Sequence, residues 1–112
     1  MRIAVTSQNL RTVTGHAGVN RRFMVWEVEP GQGPVRTGDI KLPKDMAFHN
    51  FHEAGPHPLD SVDVLITGGC GEGFVRRLAR RGVSVLRTSE SDPETAVRAY
   101  LEGTLPETAE AC

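Results

Sequence analysis

Short apolar runs separated by polar or glycine-rich segments predict that the first half of the chain is built from β-strands. Residues 2–7 form an apolar run with β-branched members, which is typical of a buried strand. Residues 22–29 predict a second strand, whose alternate apolar side chains face both sides of a sheet. The proline- and glycine-rich segment 30–34 predicts a turn, and residues 35–42 supply the partner strand of a hairpin.

The second half alternates between strand and helix patterns. Residues 63–67 carry consecutive apolar side chains, as expected for a central parallel strand, and residues 83–86 predict another strand. The predicted helices are 44–53 after Pro43, 74–81 with an apolar stripe opposite four arginines, and a third from a cap at 91–94 to Gly103. Because strands linked by helices form right-handed parallel crossovers, we expect one α/β domain with a mixed sheet.

Length and charge exclude several classes of protein. A chain of 112 residues with 38% hydrophobic and 24% charged residues fits one globular domain. The formal net charge of -1 provides no positive field for a phosphate backbone, so we expect no nucleic-acid partner. The longest apolar runs span a few residues, which predicts no membrane segment. The N-terminus carries no signal-peptide pattern, so we expect a cytoplasmic protein with reduced thiols.

Two glycine-bearing loops are predicted to meet where the central strands end, the edge at which ligands of such sheets gather. The candidate residues are Gly15, His16 and Gly18 in the first loop and Gly69, Cys70, Gly71 and Gly73 in the second. The positive end of the following helix should favour an anion and the thiolate of Cys70. Such a site suits a sulfur-rich cluster or a phosphate. The alternatives are that Cys70 fills a tight turn and that His16 is a solvated loop residue.

Three histidines lie within nine residues and form a second candidate for metal binding. On a helix, His49 and His52 would share one face, and His57 follows after a short spacing. Neutral imidazole is a ligand for iron, zinc, copper and nickel. The alternative for His57 is that it caps the Gly-Pro-His-Pro turn.

Sequence signals for an enzyme are weak. There is no Gly-x-Ser-x-Gly elbow, and no Walker lysine follows the glycines of residues 68–73. A two-metal nuclease needs carboxylates on its central strands, but residues 2–7 contain none and Asp63 lies at the start of its strand. The arginines of the second helix are predicted to form its solvated side, with a docking surface for an acidic partner as the alternative: Arg76, Arg77, Arg80 and Arg81.

Four segments together resemble a known family: IAVTSQN (3–9), TGHAGVNRRFMVWEV (14–28), GPHPLDSVDVLITGGCGEGFVRRLARRGV (55–83) and TAVRAYLEG (95–103). They are similar to the dinitrogenase iron-molybdenum cofactor-binding family, which includes NifX, NafY and the C-terminal domain of NifB. The resemblance implies a ribonuclease-H-like fold, a five-stranded mixed sheet with about three helices and no nuclease activity. It also implies binding of an iron-molybdenum cofactor or iron-sulfur precursor, with the site at 15–18 and 68–73. This chain departs from the family at Ala17, where many members have a bulky aromatic residue, and at Cys70, which many lack.

The first hypothesis is a non-catalytic carrier domain, residues 1–103, with a flexible tail, 104–112. Its leading ligands would be His16 and Cys70, helped by the three clustered histidines, and its partners would be other nitrogenase-maturation proteins. Whether it forms a homodimer is left open. The second hypothesis is a metal-free regulatory or scaffolding module that binds a protein through the arginine face or the sheet edge. A weaker third is an enzyme that uses the glycine loop for a phosphorylated small molecule.

Overall fold

The computed structural model describes residues 1–52 and 55–108 and contains one five-stranded sheet. The strands are β1 (Arg2–Thr6), β2 (Arg22–Glu27), β3 (Val35–Lys41), β4 (Val64–Thr67) and β5 (Ser84–Arg87). Their order across the sheet is β3-β2-β1-β4-β5. The hairpin strands β2 and β3 pair antiparallel, as do β1 and β2, whereas β4 pairs parallel with both β1 and β5. The predicted mixed sheet of an α/β domain is therefore confirmed.

The described residues contain two α-helices, α1 (Glu72–Arg80) and α2 (Pro93–Glu102), rather than three. The predicted helix 44–53 is wrong: the chain there forms two 3-10 turns, Lys44–Met46 and Phe48–Asn50, and Glu53 lies outside the described residues. Ala47 separates the turns with an extended backbone, and neither turn has a side-chain cap. A third 3-10 turn spans Pro58–Ser61. Among the described helices, none is long and apolar enough to cross a bilayer.

Alternate residues of β2 pack into two separate cores, one on each face of the sheet. Phe23 and Val25 belong to the first cluster, which α1 covers with Leu78. Met24 and Trp26 belong to the second cluster, which α2 covers with two further buried residues, Ala96 and Val97. This alternation follows from the period-two geometry of a strand. On α1 the apolar stripe is narrower than predicted, because Ala79 is exposed.

The ends of α2 follow the predicted signals. The Asp92 carboxylate accepts a hydrogen bond of 2.8 Å from the backbone N–H of Thr95, and Pro93 occupies the first helical turn. Gly103 ends the helix in the left-handed conformation at φ 77°.

Part of the predicted tail lies against the domain. Leu105 packs on the second core cluster, and the backbone N–H of Thr108 donates to the carbonyl of Arg87 at 2.9 Å. Residues 109–112 lie outside the described part, so the tail as a flexible unit stays a prediction.

Candidate functional site

The loops after β1 and β4 meet at one edge of the sheet, which we call the rim (residues 14–20 and 68–73). Backbone hydrogen bonds join them, from Gly68 N–H to the Thr14 carbonyl at 2.9 Å and from Ala17 N–H to the Gly69 carbonyl at 3.1 Å. A Cβ at Gly68 would lie 3.1 Å from the Thr14 carbonyl group, so this close approach favours glycine. The predicted convergence of the two glycine-bearing loops is confirmed.

His16 stands out on the rim by its backbone conformation. Its φ of 53° lies in the left-handed region, and its side chain is exposed. Its carbonyl accepts hydrogen bonds of 3.0 Å from the N–H groups of both Val19 and Asn20, which hold the turn closed. A non-glycine residue in this region costs on the order of 1 kcal/mol, and such residues cluster at functional sites. The strain therefore draws attention to an imidazole presented to solvent.

A shallow cleft of about 310 Å³ brings His16, His49 and Cys70 to one surface. The second 3-10 turn is fixed beside the rim by a bond of 2.6 Å from His49 N–H to the Gly18 carbonyl. Over residues 1–52 and 55–108, however, no three His, Cys, Asp or Glu side chains are grouped closely enough to hold a metal ion. The rim thus offers single ligands around an open space rather than a closed metal cage.

Gly71 and Gly73 leave that space open. Both line the cleft, and a Cβ added at either would meet no protein atom within 4 Å. Gly71 is also the N-cap of α1, and it provides no side-chain cap for the first N–H groups of the helix. Uncapped N–H groups and the positive end of the helix dipole favour an anion at this position.

Cys70 does not have the environment that the sequence suggested. The residue is 3% exposed and belongs to the first core cluster. Burial raises the pKa of the Cys70 thiol above its ordinary value, and the opposing effect of the nearby Arg87 cation is smaller. The expectation that the helix dipole would favour the thiolate is therefore wrong, because loss of hydration outweighs it.

Sequence reasoning missed Arg87, which ties the glycine loop to β5. Its guanidinium donates to the Cys70 carbonyl at 3.2 Å and pairs with the Glu72 carboxylate at 2.7 Å. This hydrogen bond lowers the pKa of Glu72 below its ordinary value. Arg87 is the last residue of β5 and lies at the same edge of the sheet as the rim. Because ligands of such sheets gather at the carboxyl ends of the strands, the sequence could have indicated Arg87 as well.

Asn20 was also missed, although it follows the turn that carries His16. It is 4% exposed, and its Nδ2 donates to the Arg22 carbonyl, while its Oδ1 has no partner among the described residues. Asn20 and His16 both line a second cleft, of about 300 Å³, on the other side of the turn. A buried acceptor without a partner is costly, so it marks a place where a donor is expected.

The structure does not bring His57 to the rim. Its ring is 4% exposed, with Nε2 2.7 Å from the Met46 carbonyl and Nδ1 accepting from Leu59 N–H at 3.1 Å. Both ring nitrogens are used, so the interpretation of His57 as a metal ligand does not fit and its role is to cap the turn Pro58–Ser61. Burial lowers the pKa of His57, which keeps the ring neutral. His52 is exposed and lines a different cleft, away from His16.

The arginine face is only partly solvated. The Arg77 guanidinium lies 4.2 Å from the Phe48 ring centroid and donates to the carbonyls of Phe48 at 3.1 Å and of Phe51. Arg81 donates to both Asp60 carboxylate oxygens at 2.8 and 3.0 Å. Arg77 thus donates to carbonyls of the irregular segment after β3, including that of Phe48, which also accepts from the Phe51 N–H at 3.2 Å.

Comparisons with known proteins agree with this fold. The family described as dinitrogenase iron-molybdenum cofactor matches residues 1–103. The crystal structure of the protein PH0822 superposes with a TM-score of 0.74 at 20% identity, covering 96% of both chains. A Thermotoga protein described as a NifB protein of the DUF35 family gives 0.62 at 23% identity, covering 95% of this chain and 91% of that one.

The apo form of the orange protein from Desulfovibrio gigas also superposes, with a TM-score of 0.62 at 21% identity, covering 97% of this chain and 93% of that one. These three likenesses show the fold. No curated protein matches the sequence.

Proposed function

Because the chain belongs to the dinitrogenase iron-molybdenum cofactor family, we propose that it binds and carries an iron-sulfur or iron-molybdenum cofactor, or a precursor of one, in nitrogenase maturation. The observation that supports this most directly is His16, an exposed imidazole held in a left-handed turn beside the glycine loop. The proposal places the protein in the cytoplasm and gives it no catalytic role.

The rim fits such a group in shape and in charge. The cleft beside His16 is open over Gly71 and Gly73, where no side chain fills the space. The uncapped start of α1 faces the same cleft and favours an anionic ligand. An iron-sulfur group is anionic and contains its own bridging sulfides. Bridging sulfides do not fill the outer coordination positions of the irons, so the rim would provide only part of the ligand set, from single side chains such as His16.

The residues at the rim differ in the role that we assign to them. We assign His16 as the first ligand and His49 as the second, because both line the cleft and His16 is exposed. Metal-binding histidines commonly donate their other ring N–H to an acceptor, and Asn20, whose buried Oδ1 has no partner among the described residues, lines the adjoining cleft together with His16. Cys70 is protonated and buried, so its part in binding requires the loop to open.

A non-catalytic role agrees with where the carboxylates lie. We propose that the order β3-β2-β1-β4-β5 is a ribonuclease-H-like arrangement without the acidic residues a nuclease needs. Asp63 lies before β4, at the edge opposite the rim, and its carboxylate accepts a hydrogen bond of 2.8 Å from the backbone N–H of Arg2. That carboxylate holds the strands together and does not face the candidate site.

The test is anaerobic titration of the apo protein with a cluster assembled from ferrous iron and sulfide. We expect a charge-transfer band in the visible spectrum and bound iron in the wild type. In His16→Ala the affinity measured from either signal should be about tenfold weaker, which corresponds to the loss of one strong ligand contact. His52→Ala is the matched control, because His52 is an exposed histidine outside the rim. In Cys70→Ala, a weaker affinity for iron would show that the loop opens and that Cys70 takes part in binding. Equal affinity in the wild type and His16→Ala would contradict the assignment.

A second candidate function is a metal-free module that binds a protein partner at the same rim. Val19 favours it, because this apolar side chain is 56% exposed next to His16. The same side chain would suit contact with other nitrogenase-maturation proteins or with a second copy of the chain. Protein purified anaerobically without iron, which retains a partner that Val19→Ser loses, would support this function over the carrier.

A further inference from the structure

The structure contains a larger cleft, away from the rim, that the cofactor proposal does not use. Its volume is about 640 Å³, and it lies beside the C-terminal half of α1. We call it the arginine cleft, and its principal side chains are Phe48, His52, Asp60, Arg77, Arg80 and Arg81. None of these residues lines the clefts at His16. A ligand could therefore occupy the arginine cleft independently of the rim.

The lining carries an excess of positive charge. Among the described residues, three guanidinium groups face the cleft with one carboxylate, that of Asp60, which is already paired with Arg81 at 2.8 Å. The contacts of Arg77 are with neutral backbone carbonyls, which orient its guanidinium but leave its charge uncompensated. Arg80 is exposed and has no hydrogen-bond or ion-pair partner within the described ranges. Among the described residues of the cleft, positive charge thus exceeds negative charge, which favours an anionic ligand.

Repulsion among the arginines of the cleft also favours an anionic ligand. Arg77 lies three residues before Arg80 and four before Arg81, and like charges at these spacings on a helix repel. The neighbouring His57 ring lies in the same field: burial is the main reason that its pKa is lowered, Arg81 and Arg77 contribute in the same direction, and the Met46 hydrogen bond and Asp60 act in the opposite direction. Because Arg77 and Arg81 are already anchored, little side-chain entropy is lost when they receive an anion.

We propose that the arginine cleft is a second binding site, for a small molecule that carries a phosphate or diphosphate group. Its volume lies within the roughly 300–1,000 Å³ typical of small-molecule sites, so a compact ligand would fit. The planar guanidinium fork matches phosphate oxygens, and the exposed Arg80 supplies the mobile donor that closes on them. Phe48 and Pro56 form an apolar wall for an organic part of the ligand.

The test is isothermal titration of the full chain with pyrophosphate at constant ionic strength. Arg80→Gln should weaken saturable binding about tenfold, the effect of losing one charged hydrogen-bond donor. Arg76→Gln is the matched control, since it removes the same charge from the same helix at an exposed position outside the cleft. His16→Ala should leave pyrophosphate binding unchanged, which separates this site from the rim and from the proposed cofactor function.

Nuclear magnetic resonance locates the bound anion. The proposal expects amide shifts at residues 77–81 and at His52, with little change at residues 69–73. Equal weakening in Arg80→Gln and Arg76→Gln would show only a general charge effect and overturn the proposal. It is also overturned if shifts concentrate on the glycine loop, if no saturable binding occurs, or if polyglutamate or vesicles with anionic headgroups bind while free pyrophosphate does not.

Discussion

Replacing His16 with glycine and with alanine provides a direct test of the strained turn at the rim. The φ of 53° at His16 is accessible to glycine at little steric cost, whereas alanine keeps the cost of the left-handed conformation. The His16 side chain is exposed, so its removal sacrifices little packing. The two variants should therefore differ mainly in backbone strain.

The expected magnitude follows from two opposing effects. Relief of the left-handed strain in His16→Gly contributes on the order of 1–2 kcal/mol. The greater freedom of glycine in the unfolded chain removes about 0.4–1 kcal/mol of this gain. We therefore expect His16→Gly to be more stable than His16→Ala by about 1 kcal/mol, which for a domain of this size is a shift in Tm of about 5 °C.

The assay is urea unfolding of both variants, with the same pair of substitutions at Arg76 as the control. Arg76 lies in the interior of α1 and is exposed, so Arg76→Gly should be less stable than Arg76→Ala by about 1 kcal/mol. The order of glycine and alanine thus reverses between the two positions. If His16→Gly is the less stable of its pair, the turn is not strained and the argument for selection of His16 by function fails.

Three further predictions test the remaining parts of the structure. His57→Ala should lower the free energy of unfolding by about 2–4 kcal/mol in urea titrations yet leave iron binding at the rim intact. Because the folded pKa of His57 is lowered from 6.5, its contribution to stability is present above pH 6.5 and declines as the pH falls below it; a pH profile identical in wild type and variant would contradict this. In a Cys112→Ser background at pH 8, iodoacetamide should alkylate Cys70 at least about tenfold more slowly in the native protein than in the urea-unfolded protein. The reason is that only the thiolate reacts and that burial raises the pKa of the Cys70 thiol. Equal rates would show an accessible thiol. Asp92→Ala should lower the free energy of unfolding by about 1 kcal/mol in thermal melts, because the cap of α2 is lost. Ser91→Ala, at the neighbouring residue, should change the free energy of unfolding little. Equal decreases in the two variants would argue against a specific cap.

The sheet and the meeting of the two loops could be predicted because both depend on local sequence patterns. The alternation of side chains along β2 places Phe23 and Met24 on opposite faces of the sheet, independently of the rest of the chain. Likewise, strands β1 and β4 end in glycine-bearing loops, and their parallel pairing brings these to one edge. Local rules were sufficient for these features.

The segment after β3 could not be predicted, because its conformation depends on distant residues. Phe48 is buried against Phe74 at a ring distance of 5.5 Å, and Arg77 binds the carbonyls that a regular helix would have used internally. The roles of His57 and Cys70 depend on the same packing, since their burial comes from elements far away in sequence. A histidine count or a glycine-cysteine motif contains no information about burial.

The sheet also separates two cores, so a substitution in one layer need not disturb the other. The apolar residues Ala17 and Cys70 at the rim and Phe74 beside it belong to the cluster under α1, and the arginine cleft lies on that side too. The described cluster under α2 consists of apolar packing residues such as Ala96 and Val97, and neither proposed site includes a residue of it. Substitutions there that preserve volume and apolar character should therefore leave the rim and the arginine cleft unchanged, while a loss of volume should lower the stability of the whole domain.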